Sequence, residues 1–475
     1  MQAGTRKTTQ VLSIAIAAVL VTAGLILVGC SASSAPTIVN TSATLTPVPV
    51  TITDAPSDQV LAASLTLNSV VLTNSSGKTI SILTAPLTFE ATHLDAVQEP
   101  LFTPSVPEDT YTSVALTYSN AQVAYIDPTT KQVVIAAATL ANNSQSITFA
   151  TPITVKKATT SLLLDFLVAN SVAISGSTVT VTPAFHIAVV PTPTQPTNGT
   201  NGLQCGVRGK VTALGTNNFT LITPQGISLV IAVSTNTQYQ GLAGFSALAV
   251  NTVVEVDIQV QSDLSFLALR VELQVAPNAT GQMLVGPVTS VTGSPATSFT
   301  LLVRQKIGPT PSATPVEKDT ITIDASTKFI MPGRFNNLAV GGLPFTPVFS
   351  AATLFAGQAV AVATNGVTNN AATANAVAMA PQTISGTISN LAAPTCMACL
   401  TKYTLTLPAG SWLATLTGQT TVTVYSNNGM QAISTTAAAV NKVVRFHGFL
   451  FNINGSLVML AAVEADGPGN PIGPH

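Results

Sequence analysis

Charge is what this chain most lacks. Of its 475 residues, 17 are Lys or Arg and 18 are Asp or Glu, so that 7% are charged, against about 25% in an average soluble domain. Binding of nucleic acid through its phosphates needs a surplus of Lys and Arg, and a long coiled coil needs abundant Glu, Lys and Arg. The composition excludes both classes. With 46% hydrophobic residues, the chain has ample material for folded cores, which excludes a charged disordered protein.

Cysteine and aromatic residues are also scarce. Four Cys are too few for a disulfide-stabilised scaffold. Cys396 and Cys399 form a lone C-x-x-C pair, with no second pair to complete a four-thiolate zinc site. In an exported protein we expect a short loop disulfide between them, which leaves Cys205 free or paired between chains. Aromatic residues make up 5%, with one Trp, which speaks against single-stranded nucleic acid as a partner because that binding relies on stacking.

Recognisable catalytic motifs are missing as well. The chain has four His and contains no G-x-S-x-G, H-E-x-x-H or phosphate-binding loop. We therefore assign no catalytic residues, no metal ligands and no cofactor, although folding can still assemble a triad that the sequence does not reveal. Glu90, His93 and Asp95 could bind a metal or act as acid and base, but a solvated loop is the favoured interpretation.

A second acidic group stands near the start of the folded region. Asp54 and Asp58, with Glu108 or Asp109 from a later loop, could supply oxygens to calcium. The spacing of an EF-hand is absent, and calcium needs six to eight oxygens. Asp followed by Ala-Pro after an alternating run is typical of a strand end, where the carboxylate accepts bonds from backbone N–H groups. A turn is therefore the favoured interpretation.

The N-terminus carries a targeting signal. Arg6 and Lys7 precede an uncharged apolar run over residues 11–28, which could be a signal sequence or a short membrane helix. Four residues at the junction after the run resemble a bacterial lipobox: Leu27, Val28, Gly29 and Cys30. The resemblance implies cleavage before Cys30 and attachment of diacylglycerol to its thiol. Ser31 implies delivery to the outer membrane of a Gram-negative bacterium, and the alternative is an uncleaved helix.

Composition and periodicity divide the chain into segments. We predict a signal peptide over 1–29, a flexible tether over 30–48, a β-sandwich over 49–190, a Pro/Thr linker over 191–204, β-barrel repeats over 205–277, 281–380 (with insertions) and 383–466, and a disordered tail over 467–475. The dominant hydrophobic period is two. Apolar residues 254, 256, 258 and 260 alternate with polar residues 255, 257 and 259, which predicts a strand with one buried face. The predicted fold class is all-β, with an N-terminal β-sandwich followed by two or three small OB-like barrels.

The first folded region resembles a family known as domain of unknown function 4382. The resemblance rests on VTITDAPSD at 50–58, LLLDF at 162–166 and TPAF at 182–185. It implies an immunoglobulin- or transthyretin-like sandwich and no known activity. The family usually has Gly just before a central Tyr, whereas Thr110 precedes Tyr111 here, so we expect a different turn.

The rest of the chain shows a weak internal repeat. Its copies begin with strands that contain Gly209, Gly286 and Gly386. The order of elements resembles another uncharacterised family, domain of unknown function 5666, which implies small five-stranded barrels of the OB type. A Gly inside the first strand fits a barrel, where the strand bends or passes close to a neighbour.

These features predict a non-enzymatic, lipid-anchored protein of the cell envelope with a structural, adhesive or ligand-display role. Its expected partners are the membrane, through the lipid, and an envelope glycan or protein. Self-association through sheet edges is also expected, because few charges protect them. One alternative is a carbohydrate-binding module that stacks sugars on Trp412, Tyr239 or Tyr425, although packing is the favoured role of these rings. A second alternative is an envelope hydrolase whose site the sequence does not show.

Overall fold

The structure, a computed structural model, describes eleven stretches of the chain. They are residues 44–54, 57–94, 98–156, 160–191, 203–275, 280–308, 316–336, 342–392, 400–426, 431–432 and 439–466. Strands dominate these stretches, which confirms the predicted all-β class. None of the described helices has the length and apolar character needed to cross a membrane.

The N-terminal region is a β-sandwich. Its strands are β1 (Leu45–Pro47), β2 (Val50–Asp54), β3 (Val60–Asn74), β4 (Thr79–Ser81), β5 (Leu87–Glu90), β6 (Glu99–Phe102), β7 (Ser105–Pro107), β8 (Asp109–Ile126), β9 (Val133–Ala137), β10 (Thr139–Leu140), β11 (Ser144–Val155), β12 (Thr160–Phe166), β13 (Val172–Ser175), β14 (Thr178–Val181) and β15 (Phe185–Pro191). A 3₁₀ turn covers Thr92–Leu94, and the short helix α1 covers Val168–Ser171.

Two larger sheets form the layers of the sandwich. One has the order β11-β8-β3-β4, with β5 also on β3 and β9 also on β8, and the other has the order β15-β12-β2-β6. Apolar side chains from both sheets share one core, in which Phe89 meets Phe166 edge to face and Phe166 packs on Phe185. Smaller sheets, β1-β7 and β10-β14-β13, complete the region.

Strand β1 lies inside the segment for which composition predicts a flexible tether. It pairs antiparallel with β7, with Leu45 opposite Pro107 and Pro47 opposite Ser105. Thr46, between them, is buried. The folded part therefore begins before residue 49, because backbone pairing to β7 orders a segment whose Ser/Thr/Pro composition carries no strand pattern.

Three small barrels follow the sandwich, each closed by five strands. Barrel 1 contains β16 (Leu203–Leu214), β17 (Asn218–Ile222), β18 (Ser228–Ala232), β19 (Gln238–Gln240), β20 (Val253–Val260) and β21 (Phe266–Val275). Barrel 2 contains β22 (Gln282–Gly293), β23 (Ala296–Val303), β24 (Gln305–Ile307), β25 (Glu317–Thr322), β26 (Lys328–Ile330), β27 (Ala359–Thr364) and β28 (Ala371–Met379), with helix α2 (Gly333–Asn336). A 3₁₀ turn covers Phe245–Ala247.

Barrel 3 contains β29 (Gln382–Ala392), β30 (Thr401–Thr406), β31 (Thr421–Ser426), β32 (Gln431–Ala432), β33 (Val443–Ile453) and β34 (Ser456–Asp466), with helix α3 (Trp412–Thr417). All three barrels close in the same way. Counting only the five strands that close each barrel, the first pairs with the second and the fourth, and the third pairs parallel with the fifth. In barrel 1 these five strands are β16, β17, β18, β20 and β21. The short strands β19, β24, β26 and β32 pair with strands of the closed rings without forming part of them. The shared order supports a repeated OB-like unit.

The first strands carry the predicted glycines at points of close approach. A Cβ on Gly209 would lie 2.5 Å from the Ile222 carbonyl oxygen, and one on Gly386 would lie 2.8 Å from that of Thr406. A Cβ on Gly286 would overlap the Leu302 carbonyl oxygen. Each glycine thus lets the second strand cross the first where the barrel closes.

A turn held by a Thr side chain lies between β18 and β19 of barrel 1. It includes residues 235 and 236. The Thr237 hydroxyl accepts a bond from Ser234 N and donates one to Ala268 O. Barrel 2 repeats this turn at Thr327, which accepts from Asp324 N and donates to Ala374 O. The side-chain hydrogen bonds explain why Thr recurs there without a strand.

Sandwich and barrels belong to one compact unit that spans Ala43–His475. Leu302 and Val316 of barrel 2 share a buried cluster with Leu61 and Ala124 of the sandwich. Phe335 of barrel 2 packs edge to face on Phe449 and Phe451 of barrel 3. The domain interfaces therefore contain core-like packing, and the charged groups described next lie among them.

Candidate functional site at the domain junction

Glu90 begins a buried polar network at the edge of the sandwich. It ends β5, and its Oε1 accepts hydrogen bonds from the backbone N–H groups of Ala63 at 3.0 Å and Thr92 at 2.9 Å. Its Oε2 accepts one from the backbone N–H of His93 at 3.0 Å. The carboxylate thus holds the 3₁₀ turn at Thr92–Leu94 against β3, and the turn in turn positions the His93 ring.

His93 bridges two carboxylates. Its Nδ1 lies 3.0 Å from Glu90 Oε2, and its Nε2 lies 3.2 Å from Glu99 Oε1, while its side chain is 7% exposed. Burial alone would lower the pKa of His93, but Glu99 and Glu90 outweigh it and raise the pKa to about 9. Burial would likewise raise the pKa of Glu90, but His93 and Arg304 outweigh it and hold the pKa below its usual value. The ring is therefore an imidazolium at neutral pH.

Glu99 connects the sandwich with two barrels. Its Oε1 accepts a 3.0 Å hydrogen bond from Gln305 Nε2 in barrel 2, and its Oε2 accepts one of the same length from Gln225 Nε2 in barrel 1. Glu99 lies at the start of β6, which is an edge strand of the sheet β15-β12-β2-β6. A single carboxylate thus receives donors from three domains.

The network continues through barrel 1. Arg208 donates from Nη1 to Gln305 Oε1 at 3.0 Å and from Nε to Glu255 Oε2 at 2.9 Å. Arg270 then pairs with Glu255 at 3.2 Å, with Asp257 at 2.7 Å and with Glu272. Burial would lower the pKa of Arg270, but these acids, Asp257 foremost, outweigh it and raise it.

Glu272 returns the network to barrel 2. Its Oε1 accepts a 2.7 Å hydrogen bond from the backbone N–H of Gly333, at the start of α2. Polar contacts thereby run without a break from Glu90 in the sandwich, through barrel 1, to α2 in barrel 2. Burial of such groups is costly unless they pair with one another, and the charged groups of the network do pair. Gln225 Oε1 makes no hydrogen bond within the described residues.

Trp412 occupies the other side of the junction. Its backbone N–H donates to Asp58 O of the sandwich at 2.8 Å. The Arg304 guanidinium of barrel 2 lies 5.9 Å from the centre of its ring, and Arg304 Nε donates to Leu61 O at 2.6 Å. A small cavity of about 80 Å³ lies between the four domains, and its lining includes Ser57, His93, Arg208, Arg304, Trp412 and His447.

A larger cleft lies between the outer faces of barrels 1 and 2. Its volume is about 810 Å³, within the range of small-molecule sites, which often lie between domains. Barrel 1 contributes Gln240 and the end of β21, and barrel 2 contributes β26 with the outward residues of β28. The cleft and the network share Glu272.

Two stretches of the chain match known family models. Residues 46–182 match the domain of unknown function DUF4382, and residues 208–272 match the domain of unknown function DUF5666. The first match confirms the resemblance of the N-terminal region, and the second confirms the resemblance of the first repeat. A comparison with curated proteins gives no match. Neither family description states an activity.

The network therefore joins the sandwich, called below the DUF4382 region, to barrel 1, called below the DUF5666 barrel, and to barrel 2. Glu90, His93 and Glu99 lie in the DUF4382 match, and Arg208 and Glu255 lie in the DUF5666 match. Both regions place charged side chains at the surface where they meet. The contact between these two domains is therefore polar and contains several charged residues, although charge is scarce in the chain as a whole.

The interpretation of Glu90 and His93 as parts of a solvated loop is wrong. Both side chains are buried, because barrels 1 and 2 cover that edge of the DUF4382 region. Glu99 supplies the second carboxylate, and Asp95 lies outside the described residues. Within the described part of the chain, no group of three or more His, Cys, Asp or Glu is placed to hold a metal ion.

The two acidic positions considered for calcium have separate structural contacts. Asp54 ends β2, as the sequence predicts for a strand end, but its Oδ1 accepts from the backbone N–H of Val168, far along the chain. Asp109 accepts from Asn74 Nδ2 at 2.6 Å and from Thr110 N at 2.7 Å. Asp54 thus connects the end of β2 with the start of α1, and Asp109 connects the start of β8 with the end of β3.

The aromatic residues considered for sugar stacking lie in packed positions. Trp412 is partly buried at the junction, Tyr239 packs on the core of the DUF5666 barrel, and Tyr425 packs against Phe345. These positions fit the packing role. The lipobox residues Leu27, Val28 and Gly29, the lipidation site Cys30 and the pair Cys396 and Cys399 lie outside the described residues. The backbone of Cys205 lies in β16.

Sequence patterns missed most of the network. Glu255 alternates with buried Val residues and was expected on a solvated face, yet it is 2% exposed. The signal that could have found it is the sign pattern of three strands: Arg208 on β16, Glu255 on β20 and Arg270 on β21, which are neighbours in the barrel. Opposite charges on adjacent strands of a chain so poor in charge indicate pairing.

Proposed function

We propose that this chain is a non-enzymatic, lipid-anchored protein of the cell envelope whose four β domains form one rigid body for display or contact. One observation carries the proposal. Buried charged side chains, among them Glu90, Glu99 and Arg208, form a network that joins the sandwich to barrels 1 and 2. Removing one partner of a buried ion pair costs about 3–5 kcal/mol, and domain separation would strip partners from several such groups at once.

The protonation state of His93 supports a structural role over acid–base catalysis. A general base needs a free lone pair within reach of a substrate. With its pKa raised to about 9 and a carboxylate beside each ring nitrogen, His93 keeps both protons at neutral pH. The neighbouring acids are engaged with His93, Gln225 and Gln305.

The lipid anchor is proposed at Cys30. The sequence around it supports export and acylation, and two or more acyl chains hold a protein stably on a bilayer. Labelled palmitate should enter the wild-type protein, and Cys30→Ala should abolish the label. Normal labelling of the variant would contradict the anchor while leaving the rigid body untouched.

Self-association through a sheet edge is part of the proposal. Within the described residues β11 pairs only with β8, and β11 carries no charged side chain. Such an edge can add a strand from a second copy. Sedimentation of the mature chain with Cys30→Ser should show association with little dependence on salt, which Thr148→Lys on the exposed face of β11 should reduce. Association that Thr148→Lys leaves unchanged would contradict a role for this edge.

The rigid body is tested by breaking the network. We would compare small-angle X-ray scattering of mature Cys30→Ser protein with the same chain carrying Glu99→Gln and Arg208→Gln. At concentrations low enough to keep it monomeric, the parent should scatter as one compact particle. The double variant should then have a larger radius of gyration and faster amide exchange in β6, β16 and β24.

Lys402→Gln, at an exposed site on β30, is the matched control and should leave both measurements unchanged. A parent protein that scatters as independently moving domains would overturn the proposal. So would a double variant that keeps the parent's scattering and exchange.

A further inference from the structure

We propose that the cleft between barrels 1 and 2 binds an amphipathic organic anion, a molecule with one carboxylate or sulfonate group and an apolar body. This inference goes beyond the display role and does not depend on the lipid anchor. It rests on the shape of the cleft floor, on its apolar wall and on the charge that its lining leaves unbalanced.

The floor of the cleft is made of small residues. Strand β26 pairs parallel with β28, with Lys328 opposite Ala376 and Ile330 opposite Ala378. On the other side of β28, Ala376 lies opposite Ala363 of β27. Alternation along a strand places these residues on the outer face of barrel 2, while Phe329 packs inward on Phe349. Alanine at these three positions leaves space that larger side chains would fill.

Larger apolar side chains line the walls. Leu273 and Val275 come from the end of β21, and Ile330 and Met331 come from β26 and the residue after it. Ile330 is 39% exposed, although it lies inside a concave surface. An apolar molecule in the cleft would remove this surface from water, which stabilises binding by about 25 cal/mol per Å² of apolar area.

The charge of the lining is unbalanced. Glu272 contributes a carboxylate, but its two oxygens are engaged by Gly333 N and by Arg270. Lys328 contributes an ammonium group that makes no hydrogen bond or ion pair within the described residues. Gln274, also in the lining, makes no side-chain hydrogen bond in that part of the chain. One free cation and one free amide therefore face a cavity whose acid is already neutralised.

This combination selects the ligand class. A carboxylate or sulfonate can pair with Lys328 and accept a hydrogen bond from the Gln274 amide, while its apolar body covers Ile330 and Leu273. No aromatic ring is among the described lining residues, so the cleft lacks a stacking platform for a sugar. The volume of about 810 Å³ accommodates a ligand of drug-like size.

The test uses the mature chain with Cys30→Ser and two matched probes, decanoate and decanol. Binding is measured by calorimetry and by displacement of the fluorescent anion 1-anilinonaphthalene-8-sulfonate. We expect saturable binding of decanoate that is several-fold tighter than that of decanol. Lys328→Gln should weaken decanoate binding about fivefold, the size expected for one partly exposed ion pair, and should leave decanol binding unchanged.

A second variant tests the place of binding. Ala376→Leu adds volume to the floor at a half-exposed position, so the barrel should still fold, and both probes should bind at least about tenfold more weakly. Controls are Lys402→Gln, an exposed Lys on barrel 3, and Ala213→Leu, an exposed Ala on β16. Neither should change binding, and the unfolding midpoint should confirm that each variant is folded.

Several outcomes would overturn the inference. Absence of saturable decanoate binding removes the site, and equal binding of decanoate by wild type and Ala376→Leu places the site elsewhere. Equal affinity for decanoate and decanol, with no effect of Lys328→Gln, removes the anion from the proposed ligand class. Each of these results leaves the rigid-body proposal intact, because the scattering experiment does not involve the cleft.

Discussion

The Nδ1 atom of His93 lies 3.0 Å from Oε2 of Glu90, in a part of the sandwich that two barrels cover. The pair holds a buried positive charge at the point where three domains meet. On its other side the ring faces Glu99, which accepts from Gln225 and Gln305. The stability of the domain junction is thereby tied to one imidazolium.

Replacing His93 should destabilise the whole molecule. His93→Gln removes the cation and leaves Glu90 and Glu99 buried without it, so we expect a loss of about 3–5 kcal/mol in the free energy of unfolding. Urea unfolding at pH 7 measures this loss. His186→Gln, at an exposed site on β15, is the control and should change stability by less than about 0.5 kcal/mol. A similar small effect for both variants would show that the bridge contributes little.

Stability should also fall at alkaline pH. A group whose pKa is raised on folding stabilises the protein fully below its unfolded pKa and loses that contribution as pH rises through the folded pKa. For His93 the window runs from about 6.5 to about 9, and the contribution lost is about 3 kcal/mol. The difference in unfolding free energy between wild type and His93→Gln should therefore shrink between pH 6.5 and 9.5. A difference that stays constant would contradict the assignment.

Asp165 should give the opposite result on substitution. It lies on β12, its carboxyl oxygens make no hydrogen bond within the described residues, and burial raises its pKa to about 6 against the opposing charge of Arg445. Its neutral form stabilises the protein below about pH 4, and this contribution disappears as pH rises through 6. Asp165→Asn should raise the unfolding free energy by about 1–3 kcal/mol at pH 8 and have little effect at pH 4. Destabilisation at pH 8 would show that electrostatic attraction to Arg445 outweighs the cost of burying the charge.

The three first-strand glycines should differ in their tolerance of a methyl group. Gly286→Ala meets the nearest carbonyl oxygen most closely, Gly209→Ala comes next and Gly386→Ala is the least crowded. Each oxygen belongs to a strand backbone that cannot turn away, so costs of about 1–3 kcal/mol are expected, in that order. Thermal unfolding of the three variants gives the ranking. Equal losses, or a reversed order, would show that the strands relax.

The sequence predicts the barrels well because their signals are local. Alternation of Val254, Val256 and Ile258 identifies β20, and Gly209 in the first strand reflects a crossing within the same small domain. The turn before β19 is less visible in the sequence, because the Thr237 hydroxyl takes the place of a backbone partner there.

The network could not be predicted in the same way. Glu99 and Gln305 are 206 residues apart in the sequence, and nothing near either residue indicates the other. The pattern around Glu255 correctly gives a strand, but whether its polar face meets water depends on which domain docks against it. The cleft is likewise a product of docking, since Leu273 and Ile330 belong to different barrels.

If the proposed lipid at Cys30 anchors the protein, the pairing of β1 with β7 limits the distance between the folded domains and the membrane. With the lipid at Cys30, only residues 31–44 separate the bilayer from the first strand. An extended chain spans at most about 3.6 Å per residue, so this segment spans no more than about 50 Å. Because β1 is fixed to the sandwich, such an anchor would hold the sandwich within that distance of the membrane. A partner on another surface would then have to approach to within this distance, extended only by the size of the three barrels.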